Sequence, residues 1–429
     1  MTTFDTILPK LAEIFERHGE SIRELEPIVV NRDLNGRVCL VISEEHREKE
    51  YIKLLAREIH QALTPHAFPP ERMVLFETDI EHFIREEQAV LLSDDSEKIF
   101  VVDRVALEGD WGDIEPETDG PPRIVFYSMK GGVGRSTALA VTAWFLAERG
   151  LRVMVLDLDL ESPGLSTSLL PADRRPSFGI TDWLVEDLVD NGDGMFASMV
   201  ATSDLSRNGE IFVVPAHGTD PGEYISKLGR IWMPRVTLDG RREPWFRRLD
   251  RLLKKLQEQW QPDVVLIDSR AGIDEVASTC LTDLGASLVL LFTVDGDQTW
   301  TGYRILFQHW RRVGVVQQLR ERLQLVGAMI PETGREDYLR GLLEGAWVLF
   351  SEELYDEIPP GKLDEELWSF DLTDKIAPHY PWSVNWHRGF AALRSMHGRL
   401  HEIDVPMVTA VFGDLLEGVV STIDEEDAL

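Results

Sequence analysis

The feature that most constrains the fold of this 429-residue chain is a glycine-rich segment between an apolar run and a helical pattern. The apolar run covers residues 124–127 and the helical pattern covers residues 138–149, so residues 129–137 are predicted to turn from a strand into a helix. Such a turn directs unpaired backbone N–H groups and the positive end of the helix dipole at one point. A polyphosphate is the ligand that this arrangement favours. The alternative is a glycine turn that binds nothing.

The segment reads Met129-Lys130-Gly131-Gly132-Val133-Gly134-Arg135-Ser136-Thr137. It departs twice from the standard phosphate loop G-x-x-x-x-G-K-[ST], because Met129 replaces the first glycine and Arg135 replaces the phosphate-binding lysine. Glycines at such a turn let the backbone approach phosphate oxygens closely. We expect the phosphates of a nucleotide to be bound by Gly131, Gly132, Val133, Gly134, Arg135, Ser136 and Thr137.

Carboxylates follow two other apolar runs that are predicted to be strands. Asp157 and Asp159 follow one of these runs, and Asp268 follows the other. The carboxyl ends of parallel strands lie at one edge of a sheet, where ligands bind in such folds. Because Mg²⁺ prefers oxygen ligands and retains water, Asp268 and the hydroxyl of Ser136 are predicted to hold this ion. The alternative for Asp157 and Asp159 is that they cap a turn.

Several motifs together resemble a known family. The pattern K-G-G-x-G-K-[ST], here with Arg135 at the second basic position, resembles the deviant Walker A loop of the ParA/MinD ATPases of the SIMIBI class. Residues 130–135, 157–164 and 268–272 read K-G-G-V-G-R, D-x-D-x-E-x-P-G and D-S-R-x-G. This combination resembles a narrower branch, whose members often occur as ATPase modules within bacterial signalling or defence proteins. The resemblance covers residues 123–340.

The resemblance implies that the chain is a Mg²⁺-dependent ATPase that forms an ATP-sandwich homodimer and controls a partner protein. Lys130 would act on the ATP of the partner subunit, and Asp159 would position the attacking water near Mg²⁺, with Asp157 in support. Arg135 keeps the positive charge, but its side chain is longer and planar, so slow hydrolysis is expected. Two alternatives stay open: a nucleotide-responsive scaffold with negligible hydrolysis, and a DNA-partitioning ATPase.

The order of apolar runs predicts an α/β fold with a mostly parallel sheet flanked by helices, because strands and helices alternate from Arg123 onward. Residues 123–429 are predicted to form the ATPase domain, with C-terminal helical additions at 390–400 and 408–423. Residues 1–107 are predicted to form a small α+β domain that recognises a partner or regulates the ATPase. Residues 108–122 are acidic and proline-containing, which predicts a linker. The predicted strands of the large domain are 124–127, 153–156, 211–214, 264–267, 288–292 and 325–329.

Composition points to a cytoplasmic protein without a membrane anchor. The net charge is −31, which disfavours contact with nucleic acid and anionic lipid. No apolar run approaches the roughly 18–20 residues of a membrane span, and the first residues do not resemble a signal peptide. The two cysteines suggest no disulfide framework. A basic stripe at 241–255 is the one segment where nucleic acid could bind, although a solvated helix face is the preferred interpretation.

Two further signals receive a weaker interpretation. Arg270 follows Asp268 closely, so it is predicted either to neutralise phosphate charge or to form a surface ion pair. His397 and His401 have the i, i+4 spacing of metal ligands on one helix face. The sequence shows no third ligand beside them, so zinc is disfavoured.

Overall fold

The computed structural model of the chain describes residues 2–86, 89–92, 98–104, 111–205, 207–237, 240–357, 367–390, 396–402 and 405–426. The chain divides into two compact units, Met1–Glu108 and Gly109–Leu429. We describe each unit by itself.

The first unit is a five-stranded mixed sheet with helices on both faces, in the strand order β3-β2-β1-β5-β4. Alternate residues of β1 face opposite ways, so Ile28 and Val30 pack with the first two helices while Val29 packs with the third. The small α+β domain predicted from the sequence therefore has its own apolar core. Its elements are α1 Ile7–Arg23, β1 Ile28–Arg32, β2 Val38–Ser43, α2 Tyr51–Leu63, β3 Val74–Glu77, α3 Ile80–Glu86, β4 Val90–Leu91 and β5 Ile99–Asp103.

The second unit is built on an eight-stranded sheet in the order β15-β14-β13-β6-β12-β7-β9-β8. Every neighbouring pair is parallel except β8 with β9. The predicted α/β class is confirmed. The strands of this unit are β6 Arg123–Ser128, β7 Arg152–Asp157, β8 Ala201–Thr202, β9 Glu210–Val214, β10 Arg235–Val236, β11 Arg242–Glu243, β12 Val264–Ala271, β13 Leu288–Thr293, β14 Leu323–Ile330 and β15 Trp382–Asn385, where β10 and β11 form a separate two-stranded ribbon.

Helices cover both faces of this sheet, and this is why its central strands are nearly continuous apolar runs. Along β6, Val125 and Tyr127 belong to one apolar core, whereas Ile124 and Phe126 belong to the other. Full burial of such side chains contributes about 1.5–3 kcal/mol each. The helices are α4 Arg135–Glu148, α5 Leu165–Leu169, α6 Ile180–Asp187, α7 Tyr224–Leu228, α8 Trp245–Trp260, α9 Glu275–Thr282, α10 Asp297–Val313, α11 Val316–Leu319, α12 Arg335–Glu353, α13 Met396–His401 and α14 Val405–Glu426.

The segment expected to be a linker is packed against the second unit over residues 111–122. Ile114 is buried in the core of that unit. The backbone N–H of Glu115 donates to the carbonyl of Thr282 at 2.8 Å, and that of Thr118 donates to the carbonyl of Gly285 at 3.1 Å. The acidic composition predicted a free linker, but the buried side chain of Ile114 and the backbone hydrogen bonds of Glu115 and Thr118 hold this segment in the second unit. Residues 108–110 of the expected linker lie outside the described residues.

The C-terminal helices differ from the sequence expectation at two places. Helix α13 covers only the end of the predicted helix 390–400, of which residues 391–395 lie outside the described part, and strand β15 was not predicted. One helix, Val405–Asp424, is long and apolar enough to cross a membrane by length and composition, with a mean hydropathy of 1.3. The expectation that no segment reaches that length is therefore corrected. The apolar side chains of this helix lie in the core beside α4, including Val408, Phe412, Leu415 and Val419.

Candidate functional site

The glycine-rich turn lies at the carboxyl end of β6, near the middle of the parallel sheet. Gly132 and Gly134 have φ values of 78° and 84°, in the left-handed region that favours glycine. Gly134 immediately precedes α4 and has no side chain that could cap the helix, so the first N–H groups of α4 stay available to a ligand. A Cβ atom at Gly131 or Gly132 would meet only open space. The turn is therefore an accessible loop of backbone donors at a helix N-terminus.

A cavity of about 500 Å³ opens over this loop. Its lining includes the loop from Gly131 to Thr137, together with Ser128, Asp159, Ser162 and Arg270. The phosphate-contact residues predicted from the sequence thus share one cavity with Asp159. Ser128 and Ser162 were not predicted, although Ser128 directly precedes the glycine-rich segment and Ser162 lies within the motif at 157–164. A larger cavity at the amino ends of the strands contains none of the loop residues.

Arg135 is nearly buried and connects the loop to the carboxylates of two strand ends. Its Nε donates to Oδ1 of Asp268 at 2.7 Å, and its NH2 group donates to Oδ2 of Asp159 at 3.0 Å. A third, longer bond of 3.3 Å reaches the hydroxyl of Ser128. Burial alone would lower the pKa of Arg135, but the charges and hydrogen bonds of Asp268 and Asp159 raise it above its ordinary value. The arginine is therefore held as a cation between two carboxylates.

Three carboxylates crowd this edge of the sheet. Asp157 and Asp268 are paired residues on the adjacent strands β7 and β12. Burial and the charges of Asp268 and Asp159 raise the pKa of Asp157 to about 8, although backbone N–H groups of Leu165 and Gly164 donate to it. Burial also raises the pKa of Asp268, against Arg135 and a hydrogen bond with Ser136. A pKa of about 8 keeps Asp157 protonated at neutral pH, and Asp159 and Asp268 still bring two formal negative charges against the single positive charge of Arg135.

That excess of charge fits a divalent cation. Ser136 and Asp268 are already in hydrogen-bond contact, and Asp159 faces the same cavity. Oδ1 of Asp157 is buried and has no hydrogen-bond partner among the described residues. Hydroxyl and carboxylate oxygens are the ligands that Mg²⁺ prefers. The oxygens brought together at this edge therefore suit Mg²⁺, which would screen the crowded carboxylates.

Lys130 and Arg270 occupy different positions around the cavity. Lys130 is exposed and is not part of the cavity lining. Arg270 lines the cavity, and it pairs with Glu161 and, at 2.8 Å, with Asp274. The interpretation of Arg270 as an ion-paired residue agrees with this geometry. Its place in the cavity wall also brings its charge close to any bound phosphate.

The basic stripe at 241–255 is largely neutralised within the second unit. Arg248 is fully buried and donates to Asp187 at 2.9 Å, and Arg251 donates to the same carboxylate at 2.8 Å. Lys255 pairs with Asp193 at 2.7 Å. These side chains hold α8 against α6 and its following turn. The charges of Arg248, Arg251 and Lys255 are therefore held in ion pairs within this unit, and Arg248 does not lie on the solvated helix face that was expected.

A strand, a glycine-rich loop and a helix N-terminus, with carboxylates on neighbouring strand ends, define the site of a P-loop NTPase. A family model described as ParA, NUBPL iron-transfer P-loop NTPase, matches residues 122–183, which contain β6, the loop, α4 and the Asp157–Asp159 segment. Over these residues the second unit is similar to the ParA family in its strand, its phosphate loop and its following helix. No curated protein matches the sequence.

Solved structures with a similar fold include three P-loop proteins. The pNOB8 ParA bound to nonspecific DNA has 16% identity and a TM-score of 0.45, and the match covers 71% of this chain and 99% of that one. The septum site-determining protein MinD of Pyrococcus horikoshii OT3, complexed with Mg-ADP, has 19% identity and a TM-score of 0.40, with 70% and 96% covered. The cobyrinic acid a,c-diamide synthase of Mycobacterium smegmatis, with bound ADP and magnesium, has 23% identity and a TM-score of 0.37, with 56% and 86% covered.

Proposed function

We propose that this protein is a Mg²⁺-dependent ATP switch that hydrolyses ATP slowly and forms a homodimer when ATP is bound. The observation that carries the proposal is the position of Arg135, which connects the phosphate loop to the carboxylates of Asp159 and Asp268. The groups that a Mg²⁺–nucleotide complex needs are all present, but they are paired with one another. Binding of the complex would exchange these internal pairs for contacts with the ligand.

The exchange can be followed charge by charge. Arg135 would turn from the two carboxylates to the phosphates, where its planar guanidinium can donate two parallel hydrogen bonds. Asp268 and Ser136 would then be free to hold Mg²⁺, which neutralises phosphate charge in such sites. Asp159, at the cavity wall, would orient the attacking water. Nucleotide binding would thereby replace the ion pairs within the protein by contacts with phosphate and Mg²⁺. A change of local contacts on ligand binding is the property of a switch.

Slow hydrolysis follows from the same residue. Arg135 must leave two strong charge-assisted hydrogen bonds before it can reach phosphate. Lys130 is exposed near the loop, which is the position required of a residue that acts on the nucleotide of a second subunit. We therefore assign Lys130, Asp159 and Arg135 to the reaction, and Ser136, Asp159 and Asp268 to the metal. The net charge of −31 favours a cytoplasmic protein partner over DNA or a membrane surface.

The first experiment measures three properties of the full-length protein in parallel. Isothermal titration with ATP should show binding that depends on Mg²⁺, a phosphate-release assay should show slow turnover, and light scattering should show a mass that doubles with ATP. Asp159→Ala should bind Mg²⁺–ATP, stay dimeric and release little phosphate, whereas Asp268→Ala should lose the dependence on Mg²⁺. ATP binding without any release would favour a scaffold, and ATP-dependent DNA binding that weakens with salt would favour a partitioning ATPase. Absence of ATP binding would refute the proposal.

The first unit is proposed to recognise the partner protein. It has an apolar core of its own, and none of its described residues appears in the lining of the phosphate-loop cavity. A deletion should end at residue 108, because Ile114 and Glu115 are part of the second unit. The shortened protein should bind ATP with unchanged affinity and should no longer capture the partner. Loss of ATP binding after the deletion would show that the two units depend on each other.

A further inference from the structure

Two histidines and an aspartate come together on the second unit, far along the chain from the phosphate loop. Nε2 of His397 lies 2.8 Å from Oδ1 of Asp204, and Nε2 of His401 lies 3.6 Å from the same oxygen. One ligand atom from each residue lies within 4.8 Å of the other two. We propose that these three side chains form a binding site for a divalent transition metal of the zinc class. The sequence spacing gave only the two histidines, and the fold supplies the third ligand.

The distances suit metal ligation. Zinc bonds to nitrogen and oxygen are about 2.0–2.2 Å long, so tetrahedral ligands lie about 3.3–3.5 Å from one another. The two separations from Asp204 fall on either side of that value. A small rotation of the carboxylate would equalise them. Two imidazoles and one carboxylate are a donor set that zinc and neighbouring transition metals favour over Mg²⁺ or Ca²⁺.

The backbone holds each ligand in place from both sides. Asp204 lies between Ser203 and Leu205; the hydroxyl of Ser203 donates to the carbonyl of Leu169 at 2.5 Å, and Leu205 is buried. On α13, Leu400 lies between the two histidines in the sequence, and its side chain is buried in the core. The side chains of the triad therefore project from anchored backbone. Preformed ligand positions reduce the entropy lost when a metal binds.

A simple ion pair explains only part of the geometry. One histidine satisfies Asp204 with a hydrogen bond, and this contact keeps the pKa of that carboxyl below its ordinary range. The second ring has no need to approach the same oxygen, yet the two ring centres are 4.7 Å apart with planes at 82°. Two ring nitrogens directed at one carboxylate oxygen are the arrangement that a metal ion between the three side chains requires.

The surroundings indicate a site with an open position. The side chains of His397, His401 and Asp204 are 12%, 44% and 34% exposed, so solvent can reach the metal as a fourth ligand. Arg174 lies 3.8 Å from Oδ2 of Asp204, the oxygen turned away from the histidines, and it is 54% exposed. Its charge weakens the site somewhat and favours ligation through Oδ1 alone. The site would fasten α13 to the loop between β8 and β9.

Zinc chloride, added to chelator-treated full-length protein without nucleotide, is the probe for this site. We expect one zinc ion per chain and a rise in the unfolding temperature, because a ligand at 100 times its Kd stabilises by about 2.7 kcal/mol. His401→Ala removes an exposed ligand, so it should fold normally, and it should bind zinc about 100-fold more weakly without any thermal shift. His18→Ala is the matched control, because His18 pairs with Glu58 at 2.7 Å without a second histidine in that pair. It should behave as the unaltered protein.

Cobalt(II) gives a second readout that does not depend on stability. A tetrahedral cobalt site has intense visible absorption, and this band should appear in the unaltered protein and in His18→Ala but not in His401→Ala. Equal zinc affinity of the unaltered protein and His401→Ala would overturn the proposal. The double variant Asp204→Asn/His401→Ala keeps only His397 of the three ligands. A cobalt band in this double variant would also overturn the proposal.

Discussion

Two buried arginines lie at opposite ends of the same part of the sheet, and they behave differently. Arg123 begins β6, and its guanidinium donates to Asp250 at 2.9 Å, to the carbonyl of Leu284 at 2.7 Å and to Gln257 at 2.6 Å. Arg135 follows the loop at the other end of β6 and donates to two carboxylates. Both side chains are almost inaccessible, with 1% and 7% exposed.

The difference lies in the acceptors. Burial lowers the pKa of Arg123, and the hydrogen bond and charge of Asp250 compensate only in part. The two carboxylates around Arg135 more than offset its burial and raise its pKa. The acceptors of Arg123 are one carboxylate, one carbonyl and one amide, whereas both main acceptors of Arg135 are carboxylates whose oxygens suit Mg²⁺. We therefore expect the hydrogen bonds of Arg123 to persist in every state of the protein. Those of Arg135 can be replaced, because phosphate competes for the guanidinium and Mg²⁺ competes for the carboxylates.

The largest effect is expected from Arg123→Met. Removal of the guanidinium leaves Asp250, the Leu284 carbonyl and Gln257 without a buried donor, so unfolding should require about 3 kcal/mol less free energy. Urea unfolding measures this loss. Lys254→Ala is the control, because Lys254 pairs with the same Asp250 at 2.7 Å but is 63% exposed; a change below about 1 kcal/mol is expected there. Addition of Mg²⁺–ATP should stabilise both variants by the same amount. A variant as stable as the control would contradict the expectation that the hydrogen bonds of Arg123 persist.

Arg135→Ala should act mainly on ligand binding. Loss of the phosphate contact should weaken Mg²⁺–ATP at least about 100-fold, or about 2.7 kcal/mol, in isothermal titration. Without ligand the variant should be destabilised, because Asp159 and Asp268 lose their cation, and millimolar Mg²⁺ alone should restore part of that stability. Arg135→Lys is the matched control and should retain binding, with equal or faster hydrolysis. Unchanged ATP affinity in Arg135→Ala would contradict the exchange.

The strands of the second unit could be predicted because a strand that is buried on both faces is a nearly continuous apolar run in the sequence. All six expected strands are present, extended by one to four residues, as β7 at Arg152–Asp157 and β12 at Val264–Ala271 show. The phosphate loop was predictable for a different reason: its glycines and its place between strand and helix are local features. The carboxylates of Asp159 and Asp268 could be expected near this loop, because the carboxyl ends of parallel strands meet at one edge of a sheet.

What escaped prediction depends on contacts between distant residues. The pairing of Arg135 with Asp159 and Asp268 joins positions 24 and 133 residues away. Asp204 reaches His397 across 193 residues, and no local pattern marks it. Strand β15, Trp382–Asn385, is short and follows an irregular region, so neither length nor periodicity identifies it. Acidic composition at 111–122 suggested freedom because the sequence does not reveal the backbone partners at Thr282 and Gly285.

A smaller effect is expected at Asp283, which sits beside the Leu284 carbonyl that Arg123 uses. Burial raises the pKa of Asp283 to about 7, against hydrogen bonds from Thr282 and Thr279. In the unfolded chain an aspartate titrates near its ordinary value of about 3.9. Between these values the folded state binds one more proton than the unfolded state, so stability falls as pH rises, by about 1.4 kcal/mol per pH unit, and levels off above about pH 7.

Asp283→Asn should remove the contribution of Asp283 to this slope, whereas the contribution of Asp157, whose pKa is raised to about 8, remains. Urea unfolding at several pH values between 5 and 8 compares the variant with the unaltered protein, and the difference in stability should change steadily up to about pH 7. Asp193→Asn is the control, since Asp193 is exposed and its pKa is lowered by Lys255; it keeps Asp283, so its stability should fall with pH in parallel with that of the unaltered protein. ATP affinity should be the same for both variants, because Asp283 lies near Arg123 at the end of the sheet opposite the phosphate loop. Parallel slopes for Asp283→Asn and the unaltered protein would place the titration elsewhere.

The smallest effect on the isolated subunit is expected from Lys130→Ala. Lys130 is exposed and lies outside the cavity lining, in contrast to Arg135, which follows five residues later in the same motif. Both the stability and the ATP affinity of the single subunit should therefore change by less than about 0.5 kcal/mol. If Lys130 acts on the nucleotide of a second subunit, the variant should nevertheless remain monomeric in light scattering with ATP and should release little phosphate. Lys53→Ala, which removes a lysine that is 68% exposed in the first unit, controls for loss of surface charge and should still dimerise. A Lys130→Ala protein that dimerises and turns over at the normal rate would make Lys130 a plain surface residue, and the exchange at Arg135 would then have to operate within one subunit alone.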